Sequence, residues 1–548
     1  MPYELKTGGG AMMGIYLNPG NDGFSKICRG EYIDKTSMIA LVNQKINGPN
    51  SLICVSRPRR FGKSYAAKML CAYYDCTCDS RELFDDKGIA SDYTYLSHLN
   101  QYNVIYLDIT SFVSAAKRNG SSLSEVPNAI IEAIRKDLEK IEPDLRPDES
   151  LTDGLIRYVE GEGGGRPFVF IIDEWDALIR EARFDHTAQM RYLSLLREWF
   201  KNNTFTPRVV AAAYMTGILP IKKDGSQSAI SDFKEYTMLY PGHFTSFCGF
   251  TEEEVRSLCA KHQMSFSDAK AWYDGYHFSS IGSIYNPYSI MCAMQDHSFR
   301  SYWQKTSAAE SLFTYINMDF DGLQETVARL ILGERIEVQA ARFENDLETF
   351  RSKDDVLTLL IHLGYLAYDE DDRTVQIPNE EVRIEFRGIL QGAGTNQRWI
   401  KLLLRSRRLL ADTLAGNDQA VAQAIERIRE TEYAPTFYND EQALRYVIKF
   451  AYIAAMEHYK KIEELPSGRG LADVAFIPKP SSLYPAMVIE LKWNKTSDAA
   501  LDQIIDRKYA ASLQDYTGEV ILVGLNYDEK SKRHTCRINR IEAKYTHD

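Results

Sequence analysis

One strand–loop–helix pattern constrains the fold of this chain more than any other feature. The apolar run Ser51–Val55 leads directly into SRPRRFGKS at residues 56–64, and an amphipathic helix is predicted to follow from about Tyr65 to Tyr74. A loop between a strand and a helix N-terminus offers backbone N–H groups to an anion, and the helix dipole adds to the attraction. The pattern therefore predicts an α/β fold with a phosphate-binding loop.

Within this loop, three residues fit phosphate chemistry and one departs from the usual pattern. Lys63 would reach the β- and γ-phosphates of a nucleoside triphosphate, and the Ser64 hydroxyl would hold Mg²⁺. Gly62 permits close backbone approach to the ligand. The pattern GxxxxGK[ST] begins with glycine, whereas this chain has Arg57 there. Two other interpretations therefore stay open: a basic turn that happens to contain GKS, and a structural interaction protein whose phosphate loop is inactive.

An acidic pair follows a second apolar run. Phe168–Ile172 contains no polar residue and ends in Asp173 and Glu174. In P-loop enzymes such a strand delivers one carboxylate to the Mg²⁺ shell and a second to the attacking water. We assign Asp173 to the first role and Glu174 to the second, catalytic role. The alternative is that both acids only favour the start of the next helix, but two motifs in this order favour NTP binding.

Two further apolar runs complete a predicted, largely parallel sheet. They are Val104–Asp108 and Val209–Met215, and amphipathic stretches separate them from the other strands. The last run ends in Thr216, where a polar side chain is a candidate sensor of the γ-phosphate. A strand-terminal threonine in a turn explains the same residue equally well.

The hydrophobic period changes at about residue 251 and again at about residue 431. Thr251 and Glu254 form a predicted capping box at the start of a helix. The region that follows is mostly helical, apart from a strand-like passage at Leu363–Pro378. Strands return in the tail, at Leu471–Ile477, Ala486–Leu491 and Glu519–Leu525. We predict three domains, namely an NTPase domain at 1–250, a mostly helical lid and linker region at 251–430, and a second α/β domain at 431–548.

A second chemical constellation lies in this tail. Asp473 opens one predicted strand, and Glu490-Leu491-Lys492 ends the next. Side chains alternate along a strand, so Glu490 and Lys492 share a face. Asp473 and Glu490 would hold one Mg²⁺, or Mn²⁺, and Lys492 would position the metal-activated water. The pattern is short and also arises by chance, but the following helix adds Gln503, which shares a face with Arg507.

Several stretches together resemble the AAA-ATPase-like family common in bacteria, whose members often carry a C-terminal PD-(D/E)XK nuclease domain. In that family a loop RPRRFGK[ST] replaces the usual glycine, so Arg57 matches the family pattern. The resemblance spans most of the chain. It rests on YIDKT at 32–36, SRPRRFGKS at 56–64, IIDEWD at 171–176, YDGY at 273–276 with Phe278, YNPYS at 285–289, and LGYLAYDEDDRTVQIPNEEV at 363–382.

The resemblance implies an AAA-like ATPase core, a helical lid and a restriction-endonuclease-like tail. It places Arg59, Arg60 and Phe61 in the cofactor-binding loop. It also implies a catalytic role for Gln503, since Gln503 and Tyr509 match the family's QxxxxxY, and a metal-ligand role for Glu441 at the start of a predicted helix, Glu441–Lys461. AAA-like cores often need a neighbour's arginine, so a homo-oligomer stays open.

Composition limits the partners. The chain has 548 residues and a net charge of −11, which excludes coating nucleic acid through an overall field but permits a local basic groove. A basic stretch at Lys530–Lys544 would contact phosphates or form a solvated tail. The nine cysteines lack paired CxxC spacing and no run of ~18 apolar residues occurs, which predicts a cytoplasmic protein without membrane spans.

These observations predict an enzyme that binds ATP and Mg²⁺ and couples an AAA-like NTPase to a metal-dependent nuclease-like domain acting on DNA or RNA. The alternative is an NTP-controlled binding or signalling module whose tail keeps the nuclease fold and recognises a partner without cutting. The sequence does not distinguish DNA from RNA, and it identifies neither an arginine finger nor a biological pathway.

Overall fold

A computed structural model describes most of the chain, and the description divides into two compact units. Unit 1 comprises Met1–Ala308 and Glu337–Arg383, and unit 2 comprises Ala309–Ile336 and Ile384–Asp548. No helix in the described part of the chain is long and apolar enough to cross a membrane. The residues described are 14–221, 230–303, 323–331, 333–340, 350, 352–392, 397–432, 444–445, 447–448, 451–467, 470–479, 482–506, 516 and 518–542.

The first part of unit 1 alternates helices and strands, as the sequence predicts. Its elements are α1 (Asp22–Cys28), α2 (Met38–Asn43), β1 (Leu52–Ser56), α3 (Lys63–Tyr74), α4 (Arg81–Phe84), α5 (Tyr95–His98), β2 (Asn103–Asp108), α6 (Ile109–Asn119), α7 (Val126–Leu138), α8 (Leu151–Glu160), β3 (Phe168–Asp173), α9 (Ala177–Glu181), α10 (His186–Phe200), α11 (Thr206–Val209), β4 (Val210–Gly217) and β5 (Lys234–Tyr236).

Strands β1 to β5 form one parallel sheet in the order β2-β3-β4-β1-β5. Alternate residues of β1 face opposite layers: Leu52 and Cys54 join a core with α7, α8 and α10, whereas Ile53 and Val55 join a core with α1, α2 and α3. A sheet covered on both faces needs apolar strands throughout, which explains the uninterrupted apolar runs in the sequence. The predicted α/β fold with a parallel sheet is confirmed, and β5 is an addition to it.

The order of the strands decides which residues meet at the sheet's carboxyl edge. β4 lies between β1 and β3, so the end of β4 separates the phosphate loop after β1 from the acidic pair after β3. Ligands of open parallel sheets bind at this edge. Thr216, near the end of β4, is therefore placed between the two motifs by topology alone.

The rest of the chain before the tail contains helices and short strands. The capping box on α12 is confirmed, because the Thr251 hydroxyl and Glu254 exchange hydrogen bonds with each other's backbone amides. The description "mostly helical" missed the antiparallel hairpin β7–β8, whereas β10 and β11 fall inside the predicted passage Leu363–Pro378. The elements are β6 (Phe250–Thr251), α12 (Glu252–Lys261), α13 (Phe266–Tyr273), β7 (Tyr276–Phe278), β8 (Gly282–Tyr285), α14 (Pro287–Asp296), α15 (Leu323–Ile331), β9 (Ile336–Glu337), α16 (Lys353–Leu363), β10 (Ala367–Asp369), β11 (Thr374–Gln376), α17 (Glu380–Gly392), α18 (Gln397–Leu414) and α19 (Asp418–Glu432).

The tail forms a mixed five-stranded sheet in the order β12-β13-β14-β15-β16. Only β14 and β15 pair in parallel, and α20 connects them, whereas the other neighbours are antiparallel. The three strands expected from the sequence are present, together with two edge strands. The elements are β12 (Tyr459–Ser467), β13 (Gly470–Pro478), β14 (Ala486–Trp493), α20 (Ser497–Asp506), β15 (Glu519–Asp528) and β16 (Arg533–Glu542).

One helix expected in the tail ends earlier than predicted. The prediction of a helix over Glu441–Lys461 is wrong at its end, because β12 begins at Tyr459 and pairs with β13 up to Ser467. Tyr452, Met456 and Tyr459 are buried and recur at a helix-like spacing, so their periodicity predicted a longer helix than the structure contains. The division into three domains at residues 250 and 430 stays a prediction.

Candidate functional sites

The phosphate loop turns sharply between β1 and α3. Arg60 has φ 70° and Gly62 has φ 84°, both in the left-handed region. A Cβ on Gly62 would meet no heavy atom within 4 Å, so backbone conformation and not space favours glycine there. α3 begins at Lys63, and its first amides have no acceptor within the helix. The loop therefore presents N–H groups at a helix N-terminus, a suitable arrangement for an anion.

Arg57 occupies the position where the common pattern has glycine, and its surroundings explain the substitution. Its backbone lies outside the left-handed region, and its side chain is 1% exposed. One guanidinium nitrogen donates to the carbonyls of Ser56 and Tyr236, both at 2.9 Å, and the backbone amide donates to Gly217. Arg57 thus links β1 to β4 and β5, and the loop does not require glycine at this position.

Lys63 and Glu174 lie opposite each other across the cleft. The Lys63 side chain is buried; its Nζ donates to the Pro58 carbonyl at 3.0 Å and lies 3.3 Å from a Glu174 carboxylate oxygen. The other Glu174 oxygen accepts from Arg180 at 2.7 Å. Burial raises the pKa of Glu174, but the charges of Lys63 and Arg180 outweigh it, so the pKa lies below its ordinary value. Glu174 is therefore an ionised carboxylate at neutral pH.

Asp173 is buried at the end of β3 and accepts two hydroxyl hydrogen bonds. Thr216 donates to it at 2.5 Å, and Ser64 also donates to it. Burial raises the pKa of Asp173, and both hydroxyl groups oppose the increase. The structure thus brings together Ser64, Asp173 and Thr216, three oxygen-bearing side chains from α3, β3 and β4. This is a donor set that suits Mg²⁺, which prefers hard oxygen ligands.

The other loop residues predicted to bind cofactor have different surroundings. The Phe61 side chain is buried and contacts the Tyr276 ring edge-on at a centroid distance of 5.4 Å. The Arg60 guanidinium lies over the Tyr288 ring at 4.1 Å and donates to the Tyr302 carbonyl. Arg59 lines the cleft, where burial and then the charge of Arg180 lower its pKa.

Two residues at this site were not predicted from the sequence to take part in it: Asp176 was considered only as an acid that favours the start of a helix, and Arg180 was not considered. Asp176 is fully buried, and one carboxylate oxygen accepts from the amides of Ile218 and Leu219 at 3.2 and 3.0 Å. Arg180 donates to the same oxygen at 2.9 Å. Their spacing of four residues, typical of ion pairs on a helix, was a usable signal. Nothing in the sequence indicated that Arg180 also reaches Glu174.

A cleft of about 1200 Å³ lies within unit 1 and is lined by Lys63, Ser64, Asp173, Glu174 and Arg180. Its basic side chains include Lys26, Arg59, Lys63 and Arg180, which suits a polyanionic ligand. Apolar and aromatic side chains occupy other parts of the wall, which suits a flat heteroaromatic base. They include Ile27, Tyr32, Ile33, Phe250 and Met291.

The second cluster lies in unit 2, on the neighbouring strands β13 and β14. Asp473 and Glu490 are 6% and 2% exposed. One Asp473 oxygen accepts from the Leu491 amide at 2.8 Å, and the other accepts from Arg445. Lys492 donates to Glu490 at 2.9 Å, so both point to the same face of β14. Gln503 of α20 donates to the same Glu490 oxygen.

Glu490 has an unusual environment for a carboxylate. Burial and then the Asp473 charge raise its pKa, Lys492 only partly opposes the increase, and the pKa reaches about 7. Its second oxygen is buried and has no hydrogen-bond partner among the described residues. Such an oxygen is costly to bury unless a proton or a cation occupies it. The environment fits a divalent cation between Asp473 and Glu490.

Two expectations for the tail concern residues near its start and a basic stretch near its end. Glu441, Arg507 and Tyr509 lie outside the described residues, and no group of three or more His, Cys, Asp or Glu that could hold a metal occurs within them. The basic stretch near the chain end falls partly on strand β16. Two arginines of that strand form ion pairs, Arg537 with Asp418 and Asp498 and Arg540 with Glu519.

Comparison with known proteins supports the nucleotide site. Residues 20–226 match the family model of predicted AAA-ATPases, AAA-ATPase-like, and this match does not extend to the tail. An uncharacterized protein in the vnfD 5′ region of Azotobacter chroococcum mcd 1 is 22% identical over 530 residues, which cover 93% of this chain and 96% of that protein. The similarity therefore extends over both compact units.

Solved structures with partial similarity include a Walker-type ATPase of Pyrococcus abyssi, with 13% identity and a TM-score of 0.33 over 64% of this chain and 94% of that one. Cdc6p of Pyrobaculum aerophilum is similar over 65% of this chain and 93% of its own, with 11% identity and a TM-score of 0.26. TM-scores of this size do not establish a shared fold. The family model and the cleft together support an AAA-ATPase-like, ATP-binding domain.

Proposed function

We propose that this chain hydrolyses ATP in unit 1 and that the nucleotide controls a metal-dependent nuclease-like site in unit 2, which acts on nucleic-acid phosphodiesters. One observation carries the proposal: Lys63 and Ser64, at the start of α3, meet Asp173 and Glu174, at the end of β3, in a single cleft. An ammonium, a hydroxyl and two carboxylates are the groups that phosphoryl transfer requires.

The side chains divide the work by their charge and position. The first amides of α3 and Lys63 bind the phosphates, and Ser64 with Asp173 would hold Mg²⁺. Bound Mg²⁺ neutralises the negative charge that develops on the phosphates. Thr216 positions Asp173 through its hydroxyl hydrogen bond. Glu174 is ionised and therefore able to accept a hydrogen bond from the attacking water and orient it.

Binding of ATP tests the phosphate site directly. Lys63→Ala should weaken equilibrium ATP binding by roughly 10- to 100-fold, since a charged hydrogen bond contributes about 1.5–3 kcal/mol. Lys136→Ala is the matched control, because Lys136 is exposed and pairs only with Glu132 on the same helix. Equal ATP affinity for Lys63→Ala and wild type would leave the inactive-loop interpretation in place of this one.

The tail is proposed as the catalytic partner. Asp473 and Glu490 would share a Mg²⁺ or Mn²⁺, which supplies a more acidic water and stabilises charge on the phosphate. Lys492, held at 2.9 Å from Glu490, would then position the water, and Gln503 would orient Glu490. The strongest support for this assignment is the buried Glu490 oxygen that has no hydrogen-bond partner among the described residues.

A second candidate function is an NTP-controlled binding module whose tail does not cut. Arg445 favours it, because its ion pair with Asp473 occupies an oxygen that a metal would use. In that case Arg445 substitutes for the cation. Mn²⁺ binding distinguishes the two functions, since a cutting site must displace Arg445 from Asp473.

Cleavage of single- and double-stranded DNA and RNA, with Mg²⁺ or Mn²⁺ and with or without ATP, tests the tail. We expect cleavage by the wild type and a loss in both Asp473→Asn and Lys492→Ala, with ATP dependence removed by Lys63→Ala. Lys460→Ala, at an exposed position on edge strand β12, is the control for charge alone. If the wild type cuts nothing under any condition, the binding module replaces the nuclease.

A further inference from the structure

Arg180 connects two carboxylates that have different tasks. Its guanidinium donates to Glu174 at 2.7 Å and to Asp176 at 2.9 Å, and its side chain is mostly buried. Asp176 is in turn fixed by the amides of Ile218 and Leu219, which directly follow β4. Through Asp176, Arg180 is therefore linked to the carboxyl end of the sheet, and it also binds Glu174.

Glu174 needs such a support for two reasons. Its backbone has φ 52°, an unfavourable conformation for a residue with a Cβ, so tertiary contacts must hold it there. Its carboxylate is also largely enclosed, and a buried charge without a counter-charge is strongly destabilised. The two cations that now contact it are Lys63 and Arg180.

These two cations are not equivalent once a nucleotide is bound. Lys63 projects from the first turn of the helix behind the phosphate loop, and in the proposed function it turns to the β- and γ-phosphates. Arg180 is held by Asp176, which also accepts hydrogen bonds from backbone amides after β4 that are not part of the phosphate loop. Arg180 is thus the cation that stays with Glu174 during the reaction.

We propose that Arg180 is a positioning residue for ATP hydrolysis, which holds the Glu174 carboxylate aimed at the water site while Lys63 binds phosphate. This inference rests on the proposed ATPase function. Arg180 itself touches neither water nor phosphate in this role. It acts through Glu174, and Asp176 and the segment after β4 act through Arg180.

The charges around Glu174 allow the effect to be assigned. Lys63 approaches from α3, Arg59 from the phosphate loop, Asp173 from β3, and Arg180 with Asp176 from the α9 side. Lys63, Arg180 and Arg59 each lower the pKa of Glu174 against the effect of burial. Arg180 is the member of this set that also contacts Asp176, so removing it breaks the bridge between the two carboxylates.

The test compares kcat and KM of ATP hydrolysis in wild type, Arg180→Gln and Arg180→Lys. We expect kcat of Arg180→Gln to fall roughly 10- to 100-fold and KM to change by less than about threefold. Arg180→Lys, which keeps the charge, should recover only part of the rate, because a lysine cannot bridge two carboxylates in the fork geometry of arginine.

Arg191→Gln is the matched control, since Arg191 is exposed on α10 and pairs with Glu125 outside the cleft. If Arg180→Gln does not fold, Arg180→Lys decides alone, and a wild-type kcat in that variant overturns the inference. The same result in Arg180→Gln also overturns it. Absence of hydrolysis by the wild type would instead overturn the proposed function, and with it this inference.

Discussion

The two candidate sites each place a largely enclosed glutamate beside a lysine, yet the pKa values of the two glutamates shift in opposite directions. Glu174 faces both Lys63 and Arg180, and its pKa lies below the ordinary value. Glu490 has Lys492 but also the nearby Asp473 charge, and its pKa rises to about 7. The number of counter-charges, more than the depth of burial, decides which carboxylate is ionised. In the proposed function, an ionised Glu174 would orient the attacking water, whereas Glu490 would release its proton and bind a cation.

The largest expected effect separates the two sites. Asp473→Asn combined with Glu490→Gln should reduce metal-dependent cleavage at least ~100-fold, because both negative charges that would hold the metal are lost. The rate of ATP hydrolysis without nucleic acid should stay within about twofold, since neither residue belongs to unit 1. Parallel assays of both activities on one preparation check this, and an equal loss of both would show that the sites do not work separately.

The comparison also predicts different pH dependence of stability. Glu490 holds an extra proton in the folded chain between its ordinary pKa of 4.5 and about 7, so its stabilising contribution is lost as pH rises through that window. Glu490→Gln should therefore gain Tm relative to wild type between about pH 5 and pH 8, by roughly 2–4 °C for each kcal/mol. Glu174→Gln should show no such trend, because the lowered pKa of Glu174 confines its effect to more acidic pH. Thermal unfolding across this range measures both, and parallel trends would contradict the comparison.

Restoring the common glycine should harm the phosphate loop. Arg57→Gly removes two hydrogen bonds to carbonyl groups and empties a buried volume, which should cost about 1–3 kcal/mol in unfolding free energy. ATP affinity should not improve, since the backbone at Arg57 is not left-handed. Chemical denaturation measures the change, with Arg29→Gly at the exposed end of α1 as control. A more stable, tighter-binding variant would refute the structural role of Arg57.

The smallest effect concerns Thr216. Thr216→Val keeps the shape but removes the hydroxyl that donates to Asp173, so kcat for ATP should fall about threefold to tenfold, as expected for one hydrogen bond. Thr152→Val on the exposed face of α8 is the control. A rate unchanged from wild type would leave Thr216 as the strand-terminal turn residue that the sequence also permitted.

The sequence predicted the parts of the fold that depend on residues close together in the chain. The four apolar runs, the loop before α3 and the capping box at Thr251 all combine neighbouring residues, and each has a counterpart in the structure. The assigned roles of the site residues stay predictions, although Ser64, Asp173 and Thr216 do meet.

The features that the sequence did not reveal depend on distant pairing. β12 is a strand because it pairs with β13, although the buried residues that lead into it, Tyr452, Met456 and Tyr459, recur at a helix-like spacing. Arg57 is explained only by the carbonyl of Tyr236 on β5, which is 179 residues away in sequence. Arg180 contacts Glu174, and the backbone of Glu174 adopts a left-handed conformation. No residue pattern in the sequence predicts either feature.

The most direct test of the account is ATP binding and phosphate release by Glu174→Gln beside wild type. The substitution keeps the shape of the side chain and removes its charge. We expect ATP to bind with close to wild-type affinity while phosphate release falls at least ~100-fold, the usual contribution of a positioned base. Phosphate release at the wild-type rate would contradict the assignment of Glu174, and with it the proposal that this cleft is where ATP is hydrolysed.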